Sequence, residues 1–156
     1  MKTLDQIDRH ILRALQSNGR MSNSDLSKLV NLSPTPCLER VRKLERDGYI
    51  ESYHARLSAE KMKVSFMTFL TVSLDQTNED VFNGFKSAVN RIDEIVECHM
   101  VGGGFDYLLK IRTETMADYR TLMGERFSEI PGISATKSYF VMEEIKNDRF
   151  YKVPTT

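Results

Sequence analysis

Ser33, Thr35, Pro36, Glu39, Arg40, Arg42 and Lys43 fall within eleven residues and could grip a nucleic-acid duplex. Arg40, Arg42 and Lys43 suit phosphates or base edges, with phosphate the better match for Lys43. Thr35 and Pro36, at a helix start, suit close approach to bases. Glu39 suits either a cytosine amino group or an ion pair with Lys43 one turn on, and spacing leaves both open. A second group has different chemistry: Gly102-Gly103-Gly104-Phe105-Asp106-Tyr107. Bare backbone N–H groups can approach a carboxylate, and Asp106 can accept from an ammonium, which would clamp both ends of a free α-amino acid. A plain hairpin turn followed by a surface aspartate has the same composition.

The first group needs a helix behind it. Ser33 is placed as an N-cap whose hydroxyl accepts a backbone N–H, and Pro34 and Pro36 fall in the first turn, where N–H groups have no helical partner. Cys37, Val41, Leu44 and Gly48 share one face, and Gly48 suits the left-handed position after the helix. Leu4, Ile7, Ile11, Leu12 and Leu15 mark an earlier helix ending near Gly19. A middle helix starts at Ser22, with Asp25 completing a capping box and Met21 and Leu26 a hydrophobic staple. Leu26, Leu29 and Val30 are its expected buried side. The connection at Asn31-Leu32 is too short for antiparallel packing, so the last two helices cross steeply as a helix-turn-helix. A small helical domain with a merely solvated basic face would share these spacings.

After Gly48 the period changes. Tyr49–Leu57 has strand-like composition and reads as an extended linker strand. Phe66–Leu74, Ile95–Val101, Phe105–Thr113 and Lys137–Ile145 read as strands. Helices follow at Val81–Ile92 and Met116–Phe127, the latter broken at Pro131-Gly132. The order is βαββαβ, the ferredoxin-like arrangement, with sheet edges and one face left open. The expected fold is α+β. It comprises a three-helix helix-turn-helix domain (1–50), a linker strand (51–64), a ferredoxin-like domain (65–146) and a fraying tail (147–156).

Composition is that of an ordinary soluble chain: 156 residues, 40% hydrophobic and 28% charged. No apolar run reaches the ~18 residues of a membrane span, and Met1-Lys2-Thr3-Leu4-Asp5 is not a secretory signal. The net charge is zero, yet residues 1–50 hold nine basic and six acidic side chains, a net +3. So weak a field implies modest duplex affinity for one copy and dependence on linked copies. Cys37 and Cys98 have no metal or bridge spacing and read as small packing residues in a reducing interior. His10, His54 and His99 form no ligand cluster. No Ser-His-Asp set or phosphate loop occurs, and His99 with Asp106 lacks a nucleophile, which excludes common enzyme classes. The middle strands lack the aromatic pattern of an RNA-binding sheet.

Leu4-Asp5-Gln6-Ile7-Asp8-Arg9-His10-Ile11-Leu12, Leu26-Ser27, the run Leu32 to Glu45 and Gly48-Tyr49-Ile50 closely resemble the Lrp/AsnC family of prokaryotic transcriptional regulators. The likeness continues through Val81-Phe82, Glu97-Cys98-His99, Phe105 to Lys110, Tyr119-Arg120, Ile130-Pro131-Gly132 and Val141 to Glu144. It covers nearly the whole chain and looks closest to the leucine-responsive branch. The resemblance implies a cytoplasmic, sequence-specific regulator of amino-acid metabolism, with no cofactor or metal. Its partners would be double-stranded DNA and a free amino acid, leucine-like. Its second domain would form dimers and higher homo-oligomers, often four dimers in a ring, an octamer. The family's Gly-x-x-Asp-Tyr effector loop is matched by Gly103, Gly104, Phe105, Asp106 and Tyr107. Tyr139-Phe140-Val141-Met142, on the last strand, matches a segment where leucine-responsive relatives sense their effector. Sheet packing is the alternative role for Phe140 and Met142. Gly104 departs from those relatives, which carry a polar or acidic side chain there. The rival reading is an architectural, nucleoid-type DNA-binding protein without metabolite sensing.

Overall fold

A computed structural model describes residues 4–76, 78–147 and 150–154. The Met1–Thr3 start and positions 148–149 and 155–156 of the expected tail lie outside the described residues. The chain forms two compact units, residues 1–56 with 146–156, and residues 57–145.

The first unit is built on α1 (Gln6–Ser17), α2 (Asn23–Leu29) and α3 (Pro34–Arg46). Each helix start is set by a short polar residue in extended conformation. Asp5 caps α1, accepting from Asp8 N–H at 2.8 Å, while the Asp8 carboxylate accepts from Asp5 N–H at 3.4 Å. Ser22 caps α2, and its hydroxyl also donates to the Asp25 carboxylate. Ser33 precedes α3 as expected, but its hydroxyl makes no capping bond. Pro36 occupies the third helical position and removes one of the two N–H groups that a cap can accept, leaving only that of Thr35. At the other end Gly48 has φ +78. Gly48 N–H donates to Glu45 O and Tyr49 N–H to Leu44 O, the Schellman pattern.

Ile11, Ala14, Leu15, Leu26, Val30, Cys37 and Leu44 form the core of this unit. Leu29 does not join it and is exposed. Leu26 and Val30 stand one turn apart and define the buried stripe, so Leu29 falls on its open flank. The expected linker strand is absent: no strand lies between α3 and the sheet. Strand-like composition finds no pairing strand among the described residues, and Tyr53 donates its hydroxyl to Glu45 at 2.9 Å. The tail expected to fray returns to α1, where Gln16 and the Tyr151 backbone exchange two 2.9 Å hydrogen bonds.

The second unit holds β1 (Phe66–Leu74), α4 (Glu79–Val89), β2 (Ile95–Met100), β3 (Tyr107–Thr113), α5 (Met116–Leu122), a π-helical turn (Met123–Phe127) and β4 (Ile133–Phe140). The four strands are antiparallel in the order β2-β3-β1-β4. Leu70, Val72, Leu109 and Ile111 join Phe85, Val89, Leu122 and Phe127 in one core. The opposite sheet face carries Phe69, in register with Lys110 and Tyr139. On that face Arg112 binds Glu144 at 3.0 and 3.1 Å, and Lys110 binds Glu97 at 3.2 Å.

The last strand starts and ends earlier than the expected Lys137–Ile145. Gly132, at φ +83, turns the chain directly after Pro131, and its carbonyl accepts from Asp75 N–H. Pairing with β1 therefore begins at Ile133 and is exhausted at Val141, whose N–H reaches Met67 O at 3.0 Å. Cys37 is fully buried, but Cys98 is exposed, because β2 is an edge strand.

Candidate nucleic-acid interface and ligand loop

The turn between α2 and α3 places one helix face outward. Asn23 of α2 donates to Pro34 O at 2.8 Å, which ties the two helix starts together. Cys37 and Leu44 anchor the rear of α3, leaving Thr35, Pro36, Glu39, Arg42 and Arg46 exposed. Glu39 and Arg42 have no ion-pair or hydrogen-bond partner among the described residues. Lys43 pairs with Asp47 at 3.6 Å, not with Glu39. No Glu39–Lys43 ion pair forms among the described residues, and Glu39 is exposed.

Arg40 departs from the expected gripping set. Its Nη1 donates to Asp5 at 2.6 Å and to Asp8 at 2.7 Å. Asp8 is only 5% exposed, so this is a partly buried cluster and not a surface pair. The carboxylates hold the guanidinium above its usual range. Asp5 is held below the usual carboxylate range, chiefly by the Asp8 N–H and further by Arg40. Sequence reasoning missed Asp5, Asp8 and Asn23 here. The Asp5-x-x-Asp8 spacing at a helix start signals the cap, whereas nothing local signals Arg40, more than thirty residues on.

The ligand-loop residues sort in two. Gly102, Gly103 and Gly104 are exposed, with nothing within 4 Å of where a side chain would begin. Asp106 is half-buried and works on the backbone: its carboxylate accepts from Leu74 N–H at 2.8 Å, and its own N–H donates to Val72 O at 2.9 Å. The loop is thus fastened to the end of β1. Phe105 is half-buried. Tyr107 points into the core, 2% exposed, its ring 4.4 Å from that of Phe85. Burial pushes its hydroxyl pKa up.

Tyr139 is exposed, with Lys137 Nζ 5.3 Å from its ring centre. Val141 is half-buried, and Met142 is fully exposed just past β4. Phe140 packs on Phe66 and Tyr119, as the sheet-packing alternative requires. Met142 does not pack. Within one chain the two halves of the expected ligand site stay apart. Asp106 fastens the glycine loop to Val72 and Leu74, whereas Tyr139 and Val141 lie beside Phe69 and Met67, with β3 and β1 standing between β2 and β4.

Among the described residues no helix is long and apolar enough to cross a membrane. None of their His, Cys, Asp and Glu side chains group in threes able to hold a metal ion.

Residues 4–51 match the family model for a winged helix-turn-helix DNA-binding domain, and residues 67–150 match that for the Lrp/AsnC ligand binding domain. A leucine-responsive regulatory protein of Klebsiella pneumoniae is 50% identical over 154 residues, 99% of this chain and 94% of the relative. A transcriptional regulator of Neisseria meningitidis, solved as an L-Met complex, superposes with a TM-score of 0.89 at 35% identity, covering 94% of this chain and 95% of that one. An AsnC family transcriptional regulator of Agrobacterium tumefaciens gives 0.90 at 32% identity, covering 96% and 97%.

Proposed function

The chain belongs to the Lrp/AsnC family of transcriptional regulators, and from that premise we propose that it couples operator binding to the level of a free aliphatic amino acid, leucine-like, in the cytoplasm. It is a DNA-binding regulator and not an enzyme. The observation that carries the proposal is that one chain joins both modules, an outward α3 face and a ligand-binding sheet domain, and aligns over 99% of its own length with 94% of a leucine-responsive relative. The L-Met complex of the Neisseria regulator supports an aliphatic effector of similar size.

In this reading Thr35, Pro36 and Glu39 meet base edges, while Ser33, Arg42 and Lys43 meet phosphates. Gly102, Gly103 and Gly104 offer backbone N–H groups to the effector carboxylate. Asp106 keeps that loop in place through Leu74 and presents its charge to the ammonium. Tyr107 supports the loop from the core. Phe105, Tyr139 and Val141 supply apolar contact, and because Tyr139 and Val141 are separated from the loop within one chain, the complete site needs a second copy. Homodimers therefore pair into higher assemblies, an octamer among them. Effector binding then shifts assembly, by no more than its differential affinity for the assembly states.

A thermal-shift screen of the twenty amino acids at several protein concentrations tests this. An aliphatic amino acid should raise the midpoint, and the midpoint should also rise with protein concentration. Duplex binding with steep salt dependence, no sequence preference and no response to any amino acid would instead support the architectural reading.

A further inference from the structure

By position Arg40 belongs to the basic stretch of α3, yet its guanidinium is already engaged. One nitrogen lies 2.6 Å from Asp5 Oδ2 and 2.7 Å from Asp8 Oδ1. Neither acceptor is loose. The second oxygen of Asp5 holds Asp8 N–H, and that of Asp8 holds Asp5 N–H. For Arg40 to reach a phosphate, it must leave behind a carboxylate that is almost fully buried, an unfavourable exchange. Arg40 and Arg42 also project about 200° apart around α3, so the fastened flank and the gripping flank differ.

Among the described residues three side-chain contacts tie α3 to its surroundings. Asn23 holds its start, Tyr53 holds Glu45 near its end, and Arg40 holds its middle to the first turn of α1. Only the last of these ties α3 to α1. We infer that Arg40, with Asp5 and Asp8, is a positioning residue for sequence-specific DNA binding: it fixes the rotation of α3 on α1, so that Thr35, Pro36, Glu39 and Arg42 meet the groove together. This rests on the DNA-binding reading of the helical unit. The trio carries a net charge of −1, so it adds no positive field at the duplex.

The double variant Asp5→Asn/Asp8→Asn separates positioning from charge. Asparagine caps a helix as well as aspartate does, so α1 keeps its cap. The variant removes two negative charges from a unit whose residues 1–50 carry a net +3. Simple electrostatics then predicts tighter binding to every duplex. Positioning predicts the opposite for specific DNA. Two fluorescent duplexes serve as probes for the full-length chain: one selected from a random pool by the wild-type protein, and one of scrambled sequence. Affinity for the selected duplex should fall about tenfold, while affinity for the scrambled one holds or rises.

Arg40→Ala should lose the same discrimination with an unchanged slope of log affinity against log salt. Arg42→Ala should instead lower that slope by about one per head. On the Asp5→Asn/Asp8→Asn background, Arg40→Ala should cost nothing further. Arg40→Lys, which keeps charge but not the fork, should recover only part of the loss. Tighter binding of both duplexes by the Asn variant, or a slope lowered by about one in Arg40→Ala, would overturn the inference and make Arg40 a phosphate contact. Wild-type protein that binds neither duplex overturns the DNA-binding reading beneath it as well.

Discussion

The helical unit and the sheet unit solve the problem of stability in different ways. Among the described residues seven buried apolar side chains hold the three helices, and thirteen hold the sheet to its helices. A small core leaves a thin margin, so the helical unit leans on polar devices: caps at Asp5 and Ser22, a Schellman end at Gly48, and the Arg40 cluster. The sheet unit also caps its helices, at Asn78 and Thr115, and ties Arg126 to Glu94, but its larger core stacks Phe85 on Tyr107 and Phe66 and Tyr119 on Phe140. Polar fasteners orient a surface, whereas an apolar core keeps a scaffold rigid. The difference therefore tracks the roles proposed for the two units.

The largest test of that contrast is Phe85→Ala. It removes a fully buried ring and should cost the sheet unit about 3–5 kcal/mol. Denaturant unfolding followed by hydrogen exchange should show β1 and β3 amides opening while α1 and α3 keep their protection. Simultaneous loss from both would mean the two units fold as one.

Asp106→Ala comes next. It should abolish the amino-acid response and also cost about 1–3 kcal/mol, because Leu74 N–H loses its acceptor. Asp106→Asn keeps an acceptor, so it should lose the response with little loss of stability. A normal calorimetric titration with the effector in both variants would remove Asp106 from the site.

Arg42→Ala should weaken binding to every duplex alike, lower the salt slope by about one per head, and leave the sedimentation profile unchanged. A change in assembly would place Arg42 among the structural residues. Glycine substitutions sharpen the contrast further. Gly132→Ala puts a Cβ 2.9 Å from Val81 at φ +83 and should cost the sheet unit about 1–3 kcal/mol. Gly104→Ala faces open space and should stay within about 0.5 kcal/mol. Any effect of Gly104→Ala should appear in effector affinity.

The smallest expected effect is acid sensitivity. The Asp5 pKa is depressed in the fold, so its contribution is present above the unfolded value and lost as pH falls through the folded one. Below about pH 4 the α1–α3 fastening should loosen, read as faster exchange of α3 amides.

What the sequence revealed, it revealed through local chemistry. Pro34, Pro36 and Gly48 mark the ends of α3 because prolines and left-handed glycines act on their own backbone. Cys37 and Leu44 announce its rear by period alone. The βαββαβ order follows from alternating periods in the same way. What stayed hidden depends on partners distant along the chain. Arg40 looks like a surface cation until the fold brings Asp5 and Asp8 to it. Asp106 reads as a ligand acceptor, and its second task, accepting from Leu74 N–H, shows only in the fold. The start of β4 was displaced because Ile133-Ser134-Ala135-Thr136 is weakly strand-like, and only pairing with β1 recruits it. Tyr49–Leu57 shows the converse, since its strand-like composition meets no pairing strand within the one chain.

The most direct test of the whole account is fluorescence anisotropy of the full-length chain on a selected duplex, titrated with leucine and with methionine, alongside sedimentation of the same mixtures. The account predicts duplex binding without effector and a parallel change in affinity and assembly size when an aliphatic amino acid is added. Duplex binding and assembly that both stay constant across every amino acid would contradict it.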